Sequence, residues 1–320
     1  MKTLYIIGNG FDMAHGLDTG YWKFREYLDK NHPDFLCRFE ELYDIAAIDV
    51  ADPRITKDMI NQWEESVNNT LWSKLEDTIG KPNVQSMLDF SQSILESLDL
   101  DGGNIYVKDT MDYYWQDYYK YINNLQDYLF EWIESIDTTK VFVKSKELFE
   151  SNDLFLNFNY TDVLEHTYKI EDVFHIHGGV KSVSDIPPII GHCNKTDIEK
   201  YEKLAQDAKT AFSEGEASIN NAVVNYLKSI YKDTGSIMKL SKRFWKRLSD
   251  VNHVVIIGWS VGEVDKSYLR TIRDNIDRNS KWTYYWYDED ARKCIYDSLA
   301  SEGIVEGFLV DDYSSDIFWD

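Results

Sequence analysis

Cysteine is scarce: Cys37, Cys193 and Cys294 are the three in 320 residues, far apart and with no C-x-x-C pair. That spacing excludes a disulfide framework and a zinc ribbon, and the three thiols are expected to be reduced and buried. Long apolar runs are missing too. No stretch approaches the ~18 residues that a spanning helix needs, and the opening run to Ile7 is too short for a secretion signal before it meets glycine, so the chain reads as cytoplasmic with no membrane partner. Positive charge is in deficit, with 34 Lys+Arg against 56 Asp+Glu and a net charge of −22. A field of that sign repels phosphate backbones and argues against nucleic acid as the partner.

Apolar residues make up 43% of the chain, with 22 Tyr, 15 Phe and 10 Trp among them, enough for a sizeable core. The apolar material comes in short continuous runs, the pattern of parallel strands buried on both faces. Leu4–Ile7 runs into Gly8-Asn9-Gly10, Asp153–Phe158 into Asn159-Tyr160-Thr161, Val173–Ile176 into His177-Gly178-Gly179, and His253–Ile257 into Gly258-Trp259-Ser260-Val261-Gly262. Later strands are expected at Trp282–Tyr287 and Gly307–Val310. Helical patterns lie between most of them, so the expected fold is α/β, a Rossmann-type doubly wound parallel sheet in a single domain over residues 1–320. Two segments exceed a minimal βαβ count and read as helical insertions, roughly 38–150 and 193–248.

In the first insertion Trp115, Tyr118, Ile122, Leu125, Leu129, Trp132 and Ile136 share one helical face, widened by Tyr114, Tyr121 and Tyr128. Packing, rather than base stacking, is the expected role. In the second, helices are expected at Asp197–Thr210 and Ala217–Tyr231 with a break near Gly215, followed by the chain's main basic cluster, Lys239 to Arg247, read as a solvated helical face.

Ligands of open parallel sheets bind at the carboxyl ends of the strands, where four motifs stand. Gly8 and Gly10 allow a sharp turn and a close approach, and the helix after them offers backbone N–H groups to a diphosphate. The third glycine falls at Gly16, so this is not the G-x-G-x-x-G fingerprint. Asn159 at a strand tip can both donate and accept, enough to hold a water or a ribose hydroxyl; it can equally cap the next helix, although Thr161 or Asp162 can do that instead. His175 and His177 are spaced to point to one side of a strand, a possible metal pair for which His166, Asp172 and Cys193 supply no recognisable third ligand. His177, before Gly-Gly, suits a general base or a structural histidine bonding the backbone. Gly258-Trp259-Ser260-Val261-Gly262 matches the nucleophile elbow G-x-S-x-G, but no histidine follows Ser260, so the hydrolase triad order fails.

In set and order these motifs resemble the sirtuin-like NAD-binding fold and, more closely and over most of the chain, the AbiH abortive-infection family of bacterial antiphage proteins. Leu4–Asp12 with His15-Gly16-Leu17 is similar to that family's N-terminal signature; Asn157–Asp162, His177-Gly178 and Gly258–Ser260 resemble the sirtuin T-x-N-x-D, H-G and G-T-S segments. The resemblance implies an NAD pocket: Gly8 and Gly10 facing the diphosphate, Asn159 on the nicotinamide ribose and attacking water, His177 as base on a ribose hydroxyl, Ser260 on the adenosine side, and Asn9, Asp12 and Gly258 also in contact with the cofactor, with no metal expected. The sirtuin Asp two residues after the key Asn is Thr161 here, Asp12 stands where sirtuins have Ser, and the deacetylase zinc ribbon needs four cysteines where this chain has three scattered ones. The expected activity is therefore NAD hydrolysis to nicotinamide and ADP-ribose by an antiphage effector, with a non-catalytic nucleotide-sensing or partner-binding module as the alternative. Control by self-association or by a defence-system or phage protein is expected of such an effector.

Overall fold

Six strands, β1 (Thr3–Ile7), β2 (Leu154–Asn157), β3 (Val173–His175), β4 (His253–Ile257), β5 (Lys281–Trp286) and β6 (Leu309–Ser314), form one all-parallel sheet in the order β3-β2-β1-β4-β5-β6. The structure, a computed structural model, describes residues 2–87, 111–115, 119–144, 149–150 and 152–319. The strand order reverses between β1 and β4, the switch point at which doubly wound sheets open a crevice.

Alternate side chains of each strand supply opposite cores. Leu4, Ile6, Leu156, Val254 and Ile256 pack with Tyr268, Leu269 and Ile272 of helix Lys266–Asn275 and with Ile295 and Leu299 of helix Glu289–Ser301. On the other face Tyr5, Ile7, Phe155, Val255 and Ile257 pack with Phe11, Val163, Leu164 and Phe318. Burial on both sides is why these strands read as unbroken apolar runs.

β6 is displaced from the expected Gly307–Val310. Gly307 ends a short helix, and the strand runs on through Asp311 and Asp312, whose charges disguise it. Lys281 lies 2.5 Å from Asp311 and Arg292 2.9 Å from Asp312, so both carboxylates are matched across the sheet edge.

The chain forms two units. One comprises Met1–Gly20, Leu129–Ile189 and Asp233–Asp320 and contains the sheet; the other comprises Tyr21–Tyr128 and Ile190–Lys232. These bounds differ from the insertions expected at roughly 38–150 and 193–248. In the second unit helices Lys195–Thr210 and Glu214–Ser229 are separated at Ala211–Ser213, with Phe212 at φ +57°, so Gly215 lies inside the second helix rather than at the break. Of the aromatic stripe, Trp115, Ile122, Leu125, Leu129 and Trp132 are buried, as packing requires, while the backbone changes from a 3-10 turn at Lys120–Asn124 to an α-helix at Leu125–Glu134. Tyr118 lies outside the described residues.

The cysteines depart from expectation: Cys37, Cys193 and Cys294 are all exposed. Helix Pro33–Glu41 buries Phe35, Leu36, Phe39 and Glu40, which leaves Cys37 on the solvent side. Helix Glu289–Ser301 turns Ile295, Ser298 and Leu299 inward and Cys294 outward. The basic cluster keeps Lys239, Lys242, Arg243 and Lys246 exposed around a buried Phe244 and Trp245. No helix among the described residues is long and apolar enough to cross a membrane.

Candidate functional site

Register brings the four motifs together. Ile7 pairs with both Asn157 and Ile257, and Asn157 pairs with His175. Four chain segments therefore leave the sheet side by side at its carboxyl edge.

At the switch point the two glycine-bearing loops interlock. The N–H of Gly8 donates to Ile257 O at 3.0 Å and that of Gly10 to Gly258 O at 2.9 Å. A Cβ on Gly8 would sit 2.5 Å from Trp259 Cα, one on Gly10 2.8 Å from Gly258 Cα, and one on Gly258, at φ +65°, 2.3 Å from Phe11 N. The close approach these glycines permit is that of one loop to the other, and the amides of Gly8 and Gly10 are used in making it. The helix after the turn, Asn9–Ala14, is only six residues long. Asn9 is exposed and its Nδ2 donates to Thr19 O. Ser260 is exposed as well, its carbonyl receiving the Cys294 thiol. The left-handed residues of that second loop are Gly258 and the buried Val261, at φ +53°, rather than Ser260, so it lacks the strained serine of a nucleophile elbow.

Beneath the turn lies a buried polar network. Asp12, 1% exposed, accepts Asn159 Nδ2 at 2.8 Å on Oδ1 and pairs with Thr161 Oγ1 at 2.5 Å through Oδ2. Burial outweighs these hydrogen bonds and the nearby His175, and raises the Asp12 carboxyl from 3.8 to about 7. Asn159, 5% exposed, also gives Nδ2 to Gly8 O at 3.1 Å and its backbone N–H to Asn157 Oδ1 at 3.0 Å. Its Oδ1 is buried and takes no hydrogen bond from any described residue. His175 spans Asn159 O, 2.9 Å from Nδ1, and Glu165 Oε1, 2.7 Å from Nε2. A carbonyl only accepts, so Nδ1 carries the proton there.

His177, 3% exposed, reaches the same edge through other partners. Its Nε2 lies 3.2 Å from the Tyr268 hydroxyl and 3.7 Å from Asp265 Oδ1. Phe158 stands edge-on to the imidazole and stacks on Trp259 at 4.5 Å, while Trp259 Nε1 donates to Asp265 Oδ2. Gly178, at φ +73°, admits Pro187 O where a Cβ would lie 2.3 Å away.

Asn159 and Asp12 are thus brought into direct contact, His177 sits in a separate cluster at the same edge, and Asn9 and Ser260 stand at the surface. The rings of His175 and His177 take different partners, and no group of three His, Cys, Asp or Glu among the described residues has the spacing to hold a metal. The expected cap is also revised: Asp162 is the N-cap residue of Val163–His166 but makes no side-chain cap bond, accepting instead from Thr138 and Ser182, while Thr161 turns to Asp12. Glu165 and Tyr268 are partners that motif reading passed over. Glu165 follows Asp162 by three residues on the helix Val163–His166; Tyr268, one helical turn beyond Asp265, carries no local signal.

A family model described as bacteriophage abortive infection AbiH matches residues 4–286, from β1 to the last residue of β5. No curated protein and no solved structure matches the chain.

Proposed function

Because the chain belongs to the AbiH family, described by bacteriophage abortive infection, we propose that it serves that response by hydrolysing NAD to nicotinamide and ADP-ribose on a sirtuin-like core. The observation that carries the reading is Asn159, whose buried Oδ1 has no donor among the described residues and lies at the carboxyl edge of a parallel sheet, next to its switch point. In the reaction the C–N bond between nicotinamide and ribose breaks, water adds to the ribose carbon, and one proton is released. The oxocarbenium-like centre needs oriented polar groups more than a strong nucleophile. Asn159 Oδ1 would accept from the water or a ribose hydroxyl, and His177 would take the proton of a ribose hydroxyl. Thr161 stands where the sirtuin-like segment has a carboxylate, and Asp12 brings a carboxyl to that same threonine from the first loop. With the Gly8 and Gly10 amides engaged, the diphosphate would lie outside them, along Asn9 and Ser260.

The test is incubation of the purified full chain with NAD and chromatography of free nicotinamide. Turnover is expected, with losses of about 100-fold or more in Asn159→Ala and His177→Ala. Absence of nicotinamide release, or equal release by the variants, overturns the reading.

A second reading, a nucleotide-sensing or partner-binding module without turnover, is favoured by the interlocked loops, which consume two of the amides expected to hold a diphosphate. Thermal stabilisation by ADP-ribose with no product from NAD would select it.

A further inference from the structure

Asn159 has four hydrogen-bonding groups, its backbone N–H and carbonyl and its side-chain Nδ2 and Oδ1, and all but Oδ1 are filled by described residues. Its N–H is held by Asn157, its carbonyl by His175, and the two protons of Nδ2 by Gly8 O and Asp12 Oδ1. Each partner is anchored in turn: Glu165 holds the far side of the His175 ring, and Thr161 holds the second oxygen of Asp12.

We infer that Asp12, Thr161 and the His175–Glu165 pair lock the Asn159 amide in one orientation, with Oδ1 presented as a fixed acceptor, so that this position selects a ligand group that donates, N–H or O–H, over one that only accepts. Turning the amide over would set Oδ1 against Gly8 O and Asp12 Oδ1, acceptor against acceptor, and leave a buried NH₂ with no described partner. The lock does not depend on the charge of Asp12. When the carboxyl is protonated, Oδ2 can give its proton to Thr161 Oγ1, which is able to accept it, while Oδ1 still receives Nδ2. The ionisable groups acting on Asp12 are His175 and Glu165, both within the same network. Asp12, Thr161, His175 and Glu165 are on this account positioning residues. The ligand half of the inference rests on the proposed function, in taking this edge as the nucleotide site; the lock itself is a property of the folded chain.

Two measurements separate the halves. Side-chain amide NMR of the full chain, with the Asn159 NH₂ pair identified by its loss in Asn159→Ser, is expected to show both protons exchanging with solvent at least ~10-fold more slowly than those of exposed asparagines such as Asn61. Protection should survive Asp12→Asn, which keeps an acceptor, and fall in Asp12→Ala. Fast exchange in the wild type, or unchanged protection in a folded Asp12→Ala, overturns the lock. If Asp12→Ala fails to fold, the wild-type exchange rate and Asp12→Asn decide. The second measurement compares binding of ADP-ribose with analogues in which the 2- or 3-hydroxyl of the distal ribose is replaced by fluorine, which removes the donor and keeps the size. The wild type is expected to lose at least ~10-fold in affinity for one analogue, and Asn159→Ala to bind all three alike. Equal affinities in the wild type overturn the selection. Failure of ADP-ribose to bind at all overturns the nucleotide reading and leaves the lock to the exchange experiment.

Discussion

Gly10 donates its backbone N–H to the carbonyl of Gly258 across 2.9 Å, fastening the turn after β1 to the turn after β4. The contact exists because neither residue has a Cβ. Alanine at Gly258 should cost about 1–3 kcal/mol for overpacking against Phe11 N, in addition to ~1–2 kcal/mol for its left-handed backbone. Gly8→Ala should show the overpacking alone, and Gly16→Ala, at φ +79° with nothing within 4 Å, the backbone cost alone. Urea unfolding of the three variants should place Gly258→Ala as the least stable; a Gly16→Ala as costly as Gly258→Ala would contradict the interlock.

Asp12 gives stability a defined pH dependence. Its carboxyl titrates at about 7 in the folded chain against 3.8 otherwise, so between those values the folded state holds a proton that the unfolded state has released. The stability it contributes is full below pH 3.8 and is lost as pH rises to about 7, a change on the order of 4 kcal/mol. His15, His192 and His253, lowered mainly by burial, act in the opposite direction as pH falls through 6.5. The quantity to measure is therefore the difference between the wild type and Asp12→Asn, which should shift in favour of the variant from pH 4 to 7 and then level off. A flat difference across that range would show that Asp12 is ionised throughout.

In the second unit Arg25 and Glu40 form a buried pair, Nε to Oε1 at 2.7 Å and Nη2 to Oε2 at 3.0 Å, and Trp72 Nε1 adds a third donor to Oε1 at 2.7 Å. Removing one partner leaves a charge without compensation. Glu40→Leu alone should cost about 3–5 kcal/mol, and adding Arg25→Met should restore part of that loss. Strict additivity in the double-mutant cycle would rule out coupling between the two.

The exposed thiols can be counted. A chromogenic disulfide reagent should modify all three cysteines of the native chain without denaturant. Modification that waits for unfolding would show that they are shielded.

How much of this was legible in the sequence depended on how local the signal was. β4 is an uninterrupted apolar run, and it was bounded residue for residue at His253–Ile257. β6 carries Asp311 and Asp312, and no local rule reveals that Lys281 and Arg292 stand opposite them. The glycines at 8, 10 and 258 marked a close backbone approach, but a sequence does not say what approaches, and here each loop receives the other. Thr161 read as a cap because a threonine before a helix usually is one; its partner is Asp12, on a different strand's loop. The spacing of His175 and His177 suggested a shared side, whereas the strand ends at His175 and Gly178 turns the chain away.

The interruptions of the sheet bear on the order in which the chain can assemble. Leu4 finds its neighbours at Leu154 and Val254, so the first strand to be made gains its second neighbour only after most of the chain has been synthesised. Local helices such as Lys195–Thr210 and Glu214–Ser229 meet at once after synthesis, and pairings of that kind form quickly. Closing β1 onto β4 spans most of the chain. The entropy of so long a loop grows only slowly with length, but the delay leaves an apolar strand without its partners during translation. A chain released before residue 253 would hold β1 with one edge unmatched; once β4 emerges the open edge passes to β4, and β5 and β6 must cover it in turn.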